Sequence, residues 1–199
     1  MGILFRLACL GALVGVSGLP RAEPPQWDFH NGDVVLQASK SERSELIRKA
    51  SRSPFSHTGV IEVAKDGVYV IEAIAPVSRT PVEQWRKRGV GEEMTVLRFT
   101  GLDEAQGKRV VAEAKKLLGK PYDARYRWDE ERIYCSELVV KAFARGADKS
   151  IGRQEQVKTL ALGPEELALA RKLGISPDQS LVTPGSLADD EQFAVVAPK

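Results

Sequence analysis

The chain has 199 residues, 29 Lys and Arg against 27 Asp and Glu, a formal net charge of +2 and 43% apolar residues. That is enough for one domain with a proper core, and with no basic block standing alone, nucleic acid binding has no electrostatic support. Two cysteines and two histidines without ligand spacing argue against a metal centre. No glycine-rich phosphate loop occurs, so no cofactor is expected.

The first 22 residues read as a secretory signal peptide. Arg6 is the only charge before Arg21, Leu7 to Leu19 is apolar or small, and Pro20-Arg21-Ala22-Glu23 breaks the run. The run is short for a membrane span, so no stable span is expected in the mature chain. Cleavage after Gly18 or Ala22 fits the small-residue rule; an uncleaved N-terminal anchor is the alternative. Residues 23–199 are then expected to form one catalytic domain, periplasmic or secreted. Cys9 leaves with the leader. Cys135 remains as a lone thiol in an oxidising compartment, with no disulfide to explain it.

Gly32-Asp33 leads into a short strand, Val34–Leu36. Ser41 to Ala50 reads as a helix capped by Ser41, with Leu46 and Ile47 facing inward. A strand opens at His57 and runs to Val63. Lys65-Asp66-Gly67 is a hairpin turn signal, and Val68–Ile74 is the returning strand. Pro81–Arg88 reads as a helix with Trp85 on its inner side, and Met94–Phe99 as a strand. Asp103–Leu118 is a helix capped by Asp103 and Gln106, ended by Gly119 and Pro121. The charged loop Asp123–Arg132 follows. A helix then begins at Cys135, carries Leu138, Val139, Ala142 and Phe143 on one face, and closes at Gly146. Pro164–Leu173 is a short helix, Thr183–Asp190 is turn-rich, and Phe193–Val196 is a last strand. Strands cluster before residue 100 and helices flank them, which is an α+β pattern with a mostly antiparallel sheet.

Cys135 at the first turn of a helix feels unpaired N–H groups and the positive end of the helix dipole, and both favour thiolate. A thiolate needs a base within hydrogen-bond reach and a polar group to orient that base. His57, at a strand end beside the sheet core, suits the base better than His30 in its polar leader. Glu72 sits inside an apolar strand, where a lone carboxylate is costly to bury. The hairpin register decides its place. If Lys65-Asp66 centre a two-residue turn, residue 59 faces 72, and His57 and Glu72 share a face one diagonal step apart. A three-residue loop on Gly67 turns Glu72 to the other face, as a solvent glutamate.

These residues resemble a known family. His57-Thr-Gly-Val, Ile71-Glu72-Ala73, Gly119-Lys-Pro-Tyr122-Asp and Tyr134-Cys135-Ser-Glu-Leu-Val, in that order, are similar to the permuted papain-like amidases of the YiiX/YaeF type, a branch of the NlpC-like cysteine peptidases. The resemblance implies a circularly permuted papain-like fold. It also implies Cys135 as nucleophile, His57 as general base and acid, and Glu72 as the orienting group. Tyr122 and Tyr134 are expected at oxyanion or substrate contacts, with the Cys135 N–H as a second oxyanion donor. Trp128 either walls the cleft or anchors the loop before Cys135. Lipid acyltransferases among the permuted relatives carry Asn before the cysteine and Glu-His after it. Tyr134 and Ser136-Glu137 depart from that pattern. The expectation is an exported cysteine amidase or endopeptidase working through an acyl-enzyme, with peptidoglycan peptides as first substrate and a lipid or N-acyl amide as second. A non-catalytic envelope binding module is the alternative from another class.

Overall fold

The computed structural model describes residues 26–199. The expected signal peptide, residues 1–22 with Cys9, lies outside the described residues. The elements in chain order are β1 (Val34–Gln37), α1 (Glu42–Ser51), β2 (His57–Ala64), β3 (Gly67–Glu72), β4 (Ser78–Pro81), α2 (Val82–Lys87) and β5 (Thr95–Phe99). They continue with α3 (Glu104–Lys115), α4 (Cys135–Ala147), β6 (Gln154–Gln156), α5 (Pro164–Lys172), β7 (Ser180–Val182), α6 (Pro184–Ala188) and β8 (Phe193–Val196). The expected α+β class with a mostly antiparallel sheet is what the chain forms. Six strands lie in the order β4-β3-β2-β1-β5-β8, antiparallel at every pairing. Strands β6 and β7 make a small separate pair. Among the described residues no helix is long and apolar enough to cross a membrane.

Alternation along the strands sends apolar side chains to both faces of the sheet. On one face Val34, Leu36, Val60, Ile71 and Leu97 meet Val110, Ala114, Leu138, Ala142 and Phe143 of α3 and α4. On the other, Val35, Ile61, Val70 and Val96 meet Val82 and Trp85 of α2. Each such side chain, fully buried, contributes about 1.5–3 kcal/mol, so the sheet is held from both sides and its ends are held with it.

The Lys65-Asp66 turn pairs Ala64 with Gly67, and the register then runs to Gly59 opposite Glu72. This is the two-residue alternative. It puts His57, Gly59, Ile61, Val70 and Glu72 on the α2 side of the sheet.

The expected capping box forms at α3: the Asp103 carboxylate accepts from the Gln106 N–H at 2.7 Å, and the Gln106 side chain accepts from the Asp103 N–H at 3.0 Å. Several boundaries differ from expectation. The helix after Asp103 stops at Lys115, and Leu117 is buried in the turns that follow. The strand after the hairpin ends at Glu72 rather than Ile74, because the chain turns there and returns as β4, which alternation did not disclose. Gly146 does not end α4. Asp148 takes the left-handed cap at φ 54, and Gly146 lies where α3 crosses: a Cβ there would sit 2.5 Å from the Val110 nitrogen. The turn-rich stretch after Thr183 contains α6, capped by the Thr183 hydroxyl.

Candidate active site

Cys135 is the first residue of α4 and His57 the first of β2, and α4 packs on β2. The thiol and the imidazole lie close enough to shift each other's titration. The other ring nitrogen of His57, Nε2, lies 2.5 Å from Glu72 Oε2. The nitrogen left for the sulfur is therefore Nδ1. His57, 12% exposed in its side chain, also stacks on Trp85 at 6.1 Å between ring centroids and 28° between planes. Glu72 has no exposed surface. Its carboxylate accepts from Thr80 Oγ1 at 2.6 Å and from the Arg88 guanidinium, as well as from His57. The close approach has a cause in the opposite strand. A Cβ on Gly59, which faces Glu72, would sit 2.4 Å from Val70 Cγ1 and 2.8 Å from the Ile71 carbonyl oxygen.

Burial alone would hold both members of the Cys135–His57 pair neutral. It is overcome. Against the burial penalty, the hydrogen bonds to Cys135 and Glu72 and the charges of both push the His57 imidazole up to about 9. Cys135 is 4% exposed, and its burial raises the thiol. His57, then the Ser136 hydroxyl and N–H, outweigh that and bring it below the ordinary thiol value. Glu72, raised by burial, is lowered more by His57, Thr80 and Arg88 and stays ionised. The result is a thiolate–imidazolium pair backed by a carboxylate. The N–H of Cys135, at the first helical position, has no intrahelical acceptor and is available as a donor.

Tyr122 reaches this centre by a specific device. The Ile133 N–H donates to Pro121 O at 3.0 Å and the Asp123 N–H to Ile133 O at 3.1 Å. This parallel bridge zips Gly-Lys-Pro-Tyr-Asp to the residues ahead of Cys135. Burial first, and then the neighbouring Cys135 charge, raise the Tyr122 phenol, so it keeps its proton and can donate. Tyr134 is in a different position. It is 2% exposed, its ring packs with Val157, Ile175 and Leu181, and its hydroxyl accepts the Val182 N–H at 3.1 Å. It anchors the helix start and walls a cavity, and that hydroxyl is engaged by backbone. His30 is exposed, 3.9 Å from Asp28, and lies outside the site. Trp128 lines neither cavity described below; it is 42% exposed and covers the Lys141 ammonium at 5.4 Å. The charged loop is tied down: Lys141 bonds the Asp129 carbonyl, Arg145 bonds Glu130 at 2.6 Å, and the Asp123 carboxylate accepts from the Arg125 and Arg127 N–H groups at 2.9 and 2.5 Å.

Two cavities adjoin the pair, and Arg43 and Ile47 border both. One, of about 530 Å³, is bordered by His57 and Tyr122 together with Gln37, Lys40, Arg43 and Arg88. The other, of about 150 Å³, has Cys135 and Ser136 in its wall and is otherwise mostly apolar, formed by Leu46 and Ile47 of α1, Leu169 of α5, Leu181 of β7 and Val157 and Leu160 between them. Thr80, Arg88, Gly59 and the apolar cavity were not anticipated. Glu72's need for partners was a signal, but nothing local pointed to which residues meet it.

The sequence matches the profile of the permuted papain-like amidases (YaeF/YiiX, C92 family) over residues 28–197. It is 32% identical over 197 residues to the uncharacterised protein YiiX of Escherichia coli (strain K12), covering 96% of this chain and 95% of that one. The crystal structure of the metalloprotein YiiX from Escherichia coli O157:H7 superposes with a TM-score of 0.81 at 32% identity, covering 87% of this chain and 99% of that one.

Proposed function

The chain belongs to the permuted papain-like amidase family, and we propose that it is a thiol amidase that cleaves its substrate through an acyl-enzyme on Cys135. The observation that carries this reading is the buried Cys135–His57–Glu72 relay at a helix N-terminus. The Cys135 sulfur attacks the amide carbonyl carbon. The oxyanion that forms is held by the Cys135 N–H and the Tyr122 hydroxyl. His57 gives its Nδ1 proton to the leaving nitrogen as the C–N bond breaks, and a thioester remains. Water then adds to the thioester while Nδ1 takes its proton. The acid leaves, and thiolate and imidazolium are restored. Glu72 fixes the ring and stabilises its charge, with Thr80 and Arg88 holding Glu72.

The apolar cavity at Cys135 favours an N-acyl amide with an aliphatic acyl half. A peptidoglycan peptide, expected first from the exported leader, would set polar side chains against Leu46, Leu169 and Leu181. An exported protein would meet both substrates, and the acyl amide stands first on the cavity's chemistry. The E. coli relative is described as a metalloprotein. Among the described residues here no three His, Cys, Asp or Glu side chains gather to hold an ion, so no step above runs through a metal.

Incubation with N-dodecanoyl anilide tests the reading. Release of aniline, an S-dodecanoyl adduct on Cys135 by mass spectrometry, and loss of both in Cys135→Ala are expected. Equal binding by wild type and Cys135→Ala with turnover by neither would make this a binding module instead.

A further inference from the structure

The two cavities differ in chemistry, and the catalytic pair adjoins both. Resting on the thiol amidase reading, we infer that the cleft on the His57 side takes an anionic group carried by the leaving amine, so that the substrate is an N-acylated amino acid with a free carboxylate.

The direction follows from the proton. The acyl carbon stays on the Cys135 sulfur, whose residue walls the apolar cavity. The leaving nitrogen receives its proton from His57, whose ring borders the other cleft. Acyl and amine halves therefore point into different cavities. The amine-side cleft is cationic. Lys40, Arg43 and Arg88 border it, and among the described residues no Asp or Glu does; Arg43 stands between the two cavities and borders the apolar one as well, where Glu166 lies. Arg88 spends part of its charge on Glu72. Lys40 and Arg43 have no carboxylate partner among the described residues and are exposed. Clustered charge of one sign in a cleft raises the local concentration of the opposite ion.

Gln37 also borders this cleft, but its unpartnered amide oxygen is fully buried toward Gly89, out of reach of a ligand there. The cleft's 530 Å³ has room for an amino-acid half. The reaction is the balanced hydrolysis above: acyl–N bond broken, water consumed, fatty acid and free amino acid released.

The test compares hydrolysis by the full chain of N-dodecanoylglycine, N-dodecanoylglycinamide and N-dodecanoyl-(2-aminoethyl)trimethylammonium. The acid should be cleaved with kcat/KM at least about tenfold above the amide, and the cation slowest. In Lys40→Glu/Arg43→Glu the advantage of the acid should fall to roughly threefold or less. Equal rates for acid and amide, or an advantage that survives both charge reversals, would overturn the assignment and leave the amidase standing. If none of the three is cleaved, alkylation by iodoacetamide separates the two failures. A Cys135 that reacts much faster than free cysteine at neutral pH means that the substrate class is wrong while the activated thiol is real. A rate no faster than free cysteine removes the thiol amidase reading and this assignment with it.

Discussion

Glu72 has no exposed surface and three hydrogen-bonding partners, and together with Cys135 it keeps His57 a cation. The pH behaviour follows with definite signs. The His57 value is raised from 6.5 to about 9 in the fold, so the stability it brings is complete below about pH 6.5 and is lost as pH rises through about 9. Cys135 is shifted the other way. Its contribution is complete above the ordinary thiol range and is lost as acid protonates the thiolate. The pair titrates as a unit, with both charges present across neutral pH. Acylation needs the imidazolium as acid, so kcat/KM for amide hydrolysis should fall above about pH 9. Glu72→Gln keeps the side chain's shape and removes its charge. It should lower kcat/KM about ten- to a hundredfold and move the alkaline limb to lower pH. An unmoved limb in a pH–rate profile would show that Glu72 does not set the charge of His57.

The relay depends on two elements being correctly registered, and this part of the site was legible. A two-residue turn at Lys65-Asp66 sets Gly59 against Glu72, and period-two alternation then puts His57 and Glu72 on one face. Gly59 is the check on that geometry. Gly59→Ala would drive a methyl into Val70 Cγ1 at 2.4 Å and the Ile71 carbonyl at 2.8 Å. Chemical denaturation should show a loss of about 1–3 kcal/mol, with activity falling further than stability as β3 moves away from β2. Glycine in α4 was misread for a physical reason. At the sequence level Gly146 looks like a helix stop, whereas it is a crossing point for α3. Gly146→Ala, which in an isolated helix gains about 1 kcal/mol, should here cost about 1–3 kcal/mol because the methyl meets the Val110 backbone. Stabilisation in a thermal melt would contradict the close α3–α4 crossing.

At the scale of the molecule, the Cys135–His57–Glu72 cluster stands where the large sheet, the start of α4 and the α1–α5 region converge. The sheet, its flanking helices and the Cys135–His57 pairing were legible from local periodicity and one hairpin. The cavities were not, since the apolar one gathers Leu46, Val157, Leu169 and Leu181 from positions more than a hundred residues apart, and the cationic one joins α1 to the end of α2. Strand β4 and the β6–β7 pair were missed because three or four residues carry too little alternation to stand out. If the apolar cavity holds the acyl chain, filling it should be selective. Ala170 of α5 lies in its wall, and Ala170→Phe should raise KM for dodecanoyl amides at least about tenfold and leave acetyl amides nearly unchanged. An equal effect on both would place the chain elsewhere.

Attack by Cys135 requires the sulfur to be ionised at neutral pH, and the rate of its alkylation by iodoacetamide as a function of pH measures that directly. A thiolate held by His57 predicts a rate at neutral pH well above that of free cysteine, with its rise displaced to lower pH, that collapses in His57→Ala to a curve rising through the ordinary thiol range. A wild-type rate that climbs through about pH 8.5 like free cysteine, and is unaltered in His57→Ala, would contradict it.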